Sequence, residues 1–427
     1  MTTPITPFVL ADALDAELGV LEASAGTGKT FTLAALSTAA VGRGTCTIDQ
    51  LCVATFTEAA TAELRGRLRQ RMVEAVAYLD GRVDRPATDD LERMIDALPD
   101  AERAEWLDRL RAAVRDFDTA SITTIHGFCS RVVSAVAGLG AGVALTGDDD
   151  DVSEVVSDLS LGRLADPELP TIDPTRLLQA VTLQLSLPAA RPQLFGPDHP
   201  TFADKPAHVE RAQRIDDVAE LVDRCVAEVH RRRAARMLRT FDDLLADTRD
   251  LLLTADGESV ARELRRRFRL VLVDEFQDTD QVQWDILRAA FIEPIEGTER
   301  TRVVIVGDPK QSIYRFRAAE LSAYLAARDY AIAQGGVVRS LVTNYRTDEP
   351  LLEALNTLFA DQEFGRGGIR YQPVHAPDPT AGSGIDGVGD AVLEVRLTTD
   401  GPTDKAGTLA AIVPDVCDVV VDLLAGP

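Results

Sequence analysis

The chain has 427 residues, of which 45% are apolar, and a formal net charge of −24 at pH 7. The length predicts more than one domain, and the apolar fraction excludes a wholly disordered or fibrous protein. The sequence has no apolar run of membrane-spanning length, no secretory-signal pattern and no Cys-x-x-Cys pair among its five cysteines, so we expect a cytoplasmic protein without a membrane partner. The acidic charge argues against a protein that coats nucleic acid by electrostatics alone, but it allows a local nucleic-acid channel.

The first predicted unit is a strand, a glycine-rich turn and a helix. This spacing is typical of a P-loop, whose backbone N–H groups surround phosphate oxygens at the start of a helix. Lys29 would reach the β- and γ-phosphates, and the Thr30 hydroxyl would bind Mg²⁺. The alternative is a glycine-rich turn with an incidental lysine. The predicted nucleotide-contacting residues are Ala23, Ser24, Ala25, Gly26, Thr27, Gly28, Lys29 and Thr30.

Strand and helix patterns alternate on both sides of an irregular segment. The predicted strands are 51–55, 121–124, 270–273, 303–306, 338–342 and 391–397, and the predicted helices include 58–79, 208–239, 280–291, 318–334, 349–359 and 408–424. Glycines, an acidic run and seven prolines interrupt the pattern between residues 138 and 206. Alternating strands and helices predict an α/β fold with a parallel sheet, here split by a helical insertion of about a hundred residues.

Two carboxylates follow the apolar strand at 270–273. Asp274 and Glu275 lie where that strand would end, which is the edge at which open α/β sheets bind ligands. Asp274 would bind Mg²⁺, and Glu275 would orient or deprotonate the water that attacks a γ-phosphate. A solvated loop explains the pair equally well when it is considered alone. Together with a P-loop, the pair indicates a nucleoside-triphosphatase.

A third motif follows the strand at 303–306. Gln311 is placed to hydrogen-bond a γ-phosphate without a change of charge, and Tyr314, Phe316 and Arg317 alternate aromatic and basic side chains. Such alternation is typical of surfaces that stack bases and bind phosphates of single-stranded nucleic acid. The alternative is that the aromatic rings belong to the core and the arginines to a solvated edge.

Seven segments resemble, in order, the motifs of superfamily 1 helicases of the UvrD/Rep type. They are Glu-Ala-Ser-Ala-Gly-Thr-Gly-Lys-Thr at 22–30 and the segments 55–65, 124–129, 240–245, 273–280, 307–319 and 344–347. The first two segments and Phe-Arg-Ala-Ala-Glu at 316–320 are most similar to the RecB branch of this family. The resemblance implies ATP and Mg²⁺ as cofactors, DNA as the substrate, and RecC- and RecD-like partner subunits.

The resemblance also implies roles for individual residues. Glu275 would be the catalytic base, Gln311 the γ-phosphate sensor, and Arg346 the arginine that reaches the γ-phosphate from a second motor domain. Tyr345 matches an aromatic residue that packs near the adenine. The residues that match positions along the DNA strand are Thr55, Phe56, His126, Phe128 and Phe316.

The domain division implied by the resemblance is a RecA-like first motor domain at 1–137 and 236–336. A helical insertion at 138–235 interrupts it, and an incomplete second motor domain follows at 337–427. The glutamine that usually reads adenine upstream of the P-loop is missing, because the first glutamine is Gln50. The later helicase motifs and a nuclease domain are also missing, so we expect the N-terminal portion of such an enzyme.

The function implied is the ATP-binding part of a RecB-like 3′→5′ DNA helicase that serves recombinational repair of double-strand breaks. One alternative is a UvrD/Rep- or AddA-like repair helicase that has no RecC or RecD partners. The other is a remnant that binds ATP or DNA without turnover, although a remnant need not keep Glu275 and Gln311.

Overall fold

The computed structural model describes residues 6–83, 85–136, 144–145, 148–162, 172–186, 206–236, 238–254, 257–312, 321–360, 362–364, 369–378 and 412–413. The strands are β1 Thr6–Pro7, β2 Leu18–Ala23, β3 Leu51–Thr55, β4 Ser121–Thr124, β5 Ala144–Leu145, β6 Leu238–Arg239, β7 Leu270–Val273, β8 Arg302–Gly307, β9 Val337–Leu341, β10 Glu363–Phe364 and β11 Ile369–Arg370. The predicted strand at 391–397 and all but residues 412–413 of the predicted helix at 408–424 lie outside the described residues.

The helices connect these strands. They are α1 Leu10–Asp15, α2 Lys29–Arg43, α3 Glu58–Leu79, α4 Asp90–Asp96, α5 Asp100–Arg115, α6 Ile125–Val136, α7 Asp148–Gly162, α8 Pro174–Ser186, α9 Pro206–Arg236, α10 Phe241–Leu253, α11 Gly257–Arg267, α12 Gln281–Leu287, α13 Leu321–Ala333 and α14 Glu349–Phe359. None of the helices in the described ranges is long and apolar enough to cross a membrane.

Seven strands form one sheet in the order β1-β9-β2-β8-β7-β3-β4, and every pair in it is parallel. The prediction of an α/β fold with a parallel sheet is therefore confirmed. Because all strands run the same way, the loops that follow β2, β7, β8 and β9 emerge at one edge. Each of these loops carries one of the predicted nucleotide motifs, so the topology brings together segments that are far apart in sequence.

The sheet separates two hydrophobic cores. In β7, Leu270 and Leu272 face the core that contains α2, α3 and α5, whereas Val271 and Val273 face the core that contains α6, α10 and α11. The apolar run of β7 follows from this arrangement, because successive side chains of a strand point to opposite faces and both faces are covered.

Strand β9 begins at residue 337, where the sequence predicts the start of a second motor domain. Its residues pair in register with β2, from Gly19 opposite Val337 to Ala23 opposite Leu341. The first sheet therefore extends one strand past the predicted boundary. The loop after β9, which carries the predicted arginine motif, leaves the same edge as the P-loop.

Helices α7, α8 and α9 lie in the predicted helical insertion and share a core of their own. Val152, Leu177 and Val229 belong to this cluster, which is separate from the two cores that flank the sheet. A buried ion pair between Asp151 and Arg233 joins α7 to α9. The insertion thus has its own apolar interior and its own internal electrostatic contact.

Candidate nucleotide-binding site

The turn between β2 and α2 has the backbone shape that a phosphate loop requires. Gly26 and Gly28 both adopt left-handed conformations, with φ of 80° and 83°, which side chains other than glycine rarely tolerate. The Thr27 hydroxyl donates to the Ser24 carbonyl at 2.7 Å and closes the turn. Lys29 is the first residue of α2, so the turn leads directly into a helix N-terminus, where backbone dipoles favour an anion.

Lys29 and Glu275 meet although they are 246 positions apart. The Lys29 Nζ lies 2.8 Å from the Glu275 Oε2, and the two side chains are 13% and 34% exposed. Gln277 Nε2 donates to the same Glu275 oxygen at 2.7 Å. Glu275 has φ of 52° and is the single non-glycine residue with positive φ in the described part of the chain. A left-handed conformation is uncommon for a residue other than glycine, and such strained positions cluster at functional sites.

Asp274 and Asp278 are both buried beside this pair. Burial, reinforced by the nearby Glu275 carboxylate, raises the pKa of each to about 6, and Lys29 opposes the shift. The Asp274 Oδ1 accepts the Glu275 N–H at 2.9 Å. Thr30 is half-buried in the first turn of α2. Desolvated carboxylates with shifted pKa values are typical of sites that bind a cation or move a proton.

The Gln311 side chain is hydrogen-bonded to Asp308, a residue of the same motif. Its Nε2 donates to the Asp308 Oδ2 at 2.6 Å, and Lys310 Nζ pairs with the other Asp308 oxygen at 2.9 Å. The Asp308 N–H donates to the Gln277 Oε1 at 2.9 Å. Gln277 therefore connects the motif after β7 with the motif after β8, and a continuous polar network runs from Lys29 to Gln311.

Two exposed aromatic residues lie near Gly28. Tyr345 is 67% exposed and Phe31 is 47% exposed, and a Cβ at Gly28 would lie within 3.8 Å of atoms of both. Both residues line a cavity beside the P-loop, together with Thr27, Asp90 and Arg93. The sequence interpretation includes Tyr345 but misses Phe31. The sequence feature that could have identified Phe31 is an aromatic residue directly after Lys29-Thr30, in the first turn of the predicted helix.

Two of the residues predicted to bind DNA, Thr55 and Phe128, are buried. Thr55 is fully buried, and its hydroxyl donates to the Thr57 carbonyl. Phe128 is 5% exposed and packs against Phe268 and Phe291 at centroid distances of 6.3 and 5.8 Å. The prediction of a DNA contact therefore does not fit the position of the Phe128 ring, which packs in the core that also contains residues of α10 and α11.

Phe56 and His126 are half-buried at the ends of β3 and β4. Burial lowers the pKa of His126, and the neighbouring Asp280 partly offsets the shift. Both residues lie at the sheet edge where the nucleotide motifs converge. The remaining residues predicted to bind DNA, Tyr314, Phe316 and Arg317, lie outside the described residues.

The parallel sheet, with a phosphate-binding turn at the end of a central strand and an acidic pair at the end of another, defines the class of P-loop nucleotide-binding proteins. Residues 13–331 match the model of the UvrD/REP helicase N-terminal domain. This match covers most of the sequence, and the chain belongs to the UvrD/REP helicase family.

Three similar proteins are RecB subunits of the RecBCD enzyme. The RecBCD enzyme subunit RecB of Mycolicibacterium smegmatis is 38% identical over 365 residues, which cover 84% of this chain and 31% of that protein. The subunit of Mycobacterium tuberculosis is 38% identical over 358 residues, with 82% and 30% covered. The Escherichia coli subunit is 28% identical over 485 residues, with 83% and 39% covered. The chain thus spans about a third of the length of these relatives.

Proposed function

We propose that the chain is the ATP-binding part of a RecB-like, ATP-dependent 3′→5′ DNA helicase in recombinational repair of double-strand breaks. The observation that carries the proposal is the 2.8 Å contact between Lys29 and Glu275. It supports the proposal because a phosphate-binding lysine and a catalytic carboxylate must lie within reach of the same γ-phosphate. The names of the relatives support RecC- and RecD-like subunits as partners.

Mg-ATP fits the residues at the site. The P-loop supplies backbone N–H groups and the Lys29 ammonium, while Thr30 and Asp274 supply a hydroxyl and a carboxylate. Such a set suits Mg²⁺, which keeps several waters and binds one or two protein oxygens plus the phosphates of the nucleotide. When bound, the ion neutralises charge on the phosphates.

The chemistry of hydrolysis would be divided among three residues. Glu275 would accept a proton from the attacking water, once phosphate oxygens have replaced it as the partner of Lys29. Gln311 would hydrogen-bond the γ-phosphate or that water without a change of charge. Arg346 would stabilise the charge that develops on the transferred phosphoryl group.

The nucleobase would stack between Phe31 and Tyr345. Arg71 supports this arrangement, because its guanidinium lies 4.9 Å from the Phe31 ring centroid and pairs with Asp89. Aromatic stacking is tolerant of base identity, since every base has a π-face. Base recognition would therefore depend on shape and stacking, in a chain without a glutamine upstream of the P-loop.

DNA would lie along the sheet edge near Phe56 and His126 and continue to Tyr314, Phe316 and Arg317. Half-buried aromatic and imidazole rings suit base stacking in a local channel, which is compatible with a net charge of −24. A cytoplasmic location is part of the proposal, and the described cysteines support it because all four are free thiols.

The test is nucleotide binding by Lys29→Ala. We expect this variant to lose ATP binding and to keep its melting temperature, because the ammonium contacts phosphate and its side chain is not part of a hydrophobic core. Arg43→Ala, at the exposed end of the same helix and paired with Asp15, should bind ATP normally. Titration of a fluorescent ATP analogue measures both variants. Unchanged affinity in Lys29→Ala would remove the P-loop assignment.

Phosphate release distinguishes the helicase proposal from a remnant that binds ATP or DNA without turnover. We expect single-stranded DNA to stimulate phosphate release by the chain, and Glu275→Gln to abolish the release. A chain that binds ATP but releases no phosphate with or without DNA would favour the remnant.

A further inference from the structure

Asn344 lies between the P-loop and the segment that carries Arg346. It is 6% exposed and follows β9 by three residues. Its Nδ2 donates to the Ala25 carbonyl at 3.0 Å. Its Oδ1 accepts the N–H groups of Arg346 at 2.8 Å and Thr347 at 3.1 Å. One carboxamide therefore joins the two segments.

A backbone contact reinforces this junction. The Tyr345 N–H donates to the Gly26 carbonyl at 2.8 Å. A Cβ on Gly26 would lie 2.8 Å from the Arg346 Cβ and 2.8 Å from the Asn344 Oδ1, which is closer than van der Waals contact allows. Glycine at position 26 is thus required by its neighbours as well as by its positive φ.

The orientation of a phosphate loop determines which of its backbone groups can bond to the segment 344–347. Such a loop turns its N–H groups toward the phosphate, so its carbonyls are free to bond on the outer side. In this chain the carbonyls of Ala25 and Gly26 both accept bonds from the segment 344–347. The Arg346 side chain is exposed, so its guanidinium is accessible to a ligand.

We propose that Asn344 is a positioning residue for Arg346, fixing the arginine backbone to the P-loop so that a change in the loop moves the arginine with it. This inference rests on the proposed function, in which Arg346 contacts the γ-phosphate. Asparagine suits the position because its short carboxamide donates from one atom and accepts two bonds at the other. The Asn344 N–H is held separately by the His375 carbonyl at 2.8 Å, which leaves the side chain for the P-loop.

The experiment compares the affinities of the 427-residue chain for ATPγS and for ADP, each with Mg²⁺. Only ATPγS has a γ-phosphoryl group for Arg346 to contact. Arg346→Ala should weaken ATPγS binding by about tenfold, the scale of one charge-assisted contact, and leave ADP binding within about twofold. Asn344→Asp keeps the acceptor for Arg346 and Thr347, but it places a carboxylate oxygen against the Ala25 carbonyl. We expect Asn344→Asp to produce the same selective loss.

A double-mutant cycle distinguishes positioning from a general structural role. If Asn344 acts through Arg346, then Asn344→Asp should cause no further loss of ATPγS affinity in the Arg346→Ala background. Additive losses, or equal losses for ADP and ATPγS, would overturn the inference. A wild-type chain that binds neither nucleotide would overturn the proposed function itself. Retained nucleotide binding with an unchanged affinity ratio in Asn344→Asp would overturn the positioning role alone.

The other asparagine of the chain provides a matched control. Asn356 in α14 also uses both ends of its carboxamide, donating to the Val374 carbonyl at 2.9 Å and accepting the Tyr371 hydroxyl at 2.9 Å. It makes no contact with the P-loop among the described residues. Asn356→Asp should leave the ratio of the ATPγS and ADP affinities unchanged, and a matching loss there would contradict a specific role for Asn344.

Discussion

The Lys29–Glu275 pair involves the lysine that we propose contacts ATP. The Glu275 carboxylate lies 2.8 Å from the Lys29 ammonium, so phosphate oxygens that bind this lysine would compete with the carboxylate. The displacement would release Glu275 as a base only when a triphosphate is present. On the proposed function, the ion pair would therefore oppose nucleotide binding while it keeps the two groups together.

This competition predicts an unusual effect of Glu275→Gln. Removing the negative charge should strengthen ATP binding by about two- to fivefold, because a partly exposed pair contributes up to about 1 kcal/mol and the neutral amide competes less for Lys29. Equilibrium titration with an ATP analogue measures the change. Asp15→Asn, which removes the carboxylate from the surface pair with Arg43, should have no effect. Weaker binding by Glu275→Gln would contradict the competition.

Asp278 predicts a pH dependence of stability. Its pKa is raised by burial and by Glu275 to about 6, whereas an unfolded chain has an aspartate pKa of about 4. Between about pH 4 and 6, Asp278 is therefore protonated in the folded state and charged in the unfolded state. Its contribution to the free energy of unfolding falls as pH rises through this range. Above pH 6 the buried carboxylate is charged and destabilises the fold.

Replacing Asp278 with asparagine should remove that charge. We expect Asp278→Asn to raise the free energy of unfolding by about 2 kcal/mol at pH 8, with the gain shrinking toward zero near pH 4. Urea unfolding at several pH values measures the difference. Asp108→Asn, at an exposed position of α5, should show no such trend. A gain that stays constant with pH would contradict the raised pKa.

The sequence predicts which residues come together at the candidate nucleotide site, but it does not predict their contacts. The P-loop spacing identifies Lys29, and the apolar strand β7 identifies Asp274, which follows it. Both predictions succeed because each depends on a local pattern. Phe128 shows the limit of a motif, since the pattern places it near DNA whereas packing against Phe268 and Phe291 places its ring in the core. Its orientation depends on tertiary contacts that no local pattern contains.

At the scale of elements, apolar runs and helical periodicity predict several boundaries to the residue. Strands β3, β4 and β7 and helices α3 and α14 begin and end as expected. Helix α10 was not predicted, because the long helical pattern before it continues to residue 239. Its signal was the Thr240–Asp243 capping box, in which each side chain accepts the other residue's N–H at 3.0 Å.

Helix α11 stabilises an irregular turn after α12 through a buried arginine. Residues Arg288–Ile292 form a π-helical turn, whose wider winding changes the usual carbonyl pairing. The Arg265 Nε donates to the Ala290 carbonyl at 2.8 Å, and its Nη2 donates to the Ala289 carbonyl at 3.3 Å. Arg265 is 1% exposed, so its planar fork satisfies two buried acceptors at once.

This geometry predicts that Arg265→Lys destabilises the chain by about 2 kcal/mol, because one ammonium cannot reproduce the two directed bonds and is costlier to bury. The adjacent Arg266→Lys is the matched control, since Arg266 is 72% exposed and should change stability by less than about 0.5 kcal/mol. Denaturant midpoints compare the two variants. Equal effects would show that the carbonyl contacts of Arg265 contribute little.

At the scale of the whole molecule, the described residues contain one seven-stranded sheet with the candidate nucleotide site at its edge. A helicase motor moves DNA by opening and closing a cleft between two motor domains, so a complete nucleotide site is not sufficient for strand separation. We expect residues 1–427 alone to bind Mg-ATP without unwinding DNA. A strand-displacement assay with a 3′-tailed duplex measures this, and robust unwinding by the chain alone would contradict it.

The separate core of α7, α8 and α9 has a consequence for how this protein can vary. Because these helices share apolar contacts and a buried Asp151–Arg233 pair of their own, mutations there need not be compensated by repacking around the sheet. Closing a longer surface loop costs little additional entropy. The sequence of these three helices can therefore change without a change in the packing around the sheet.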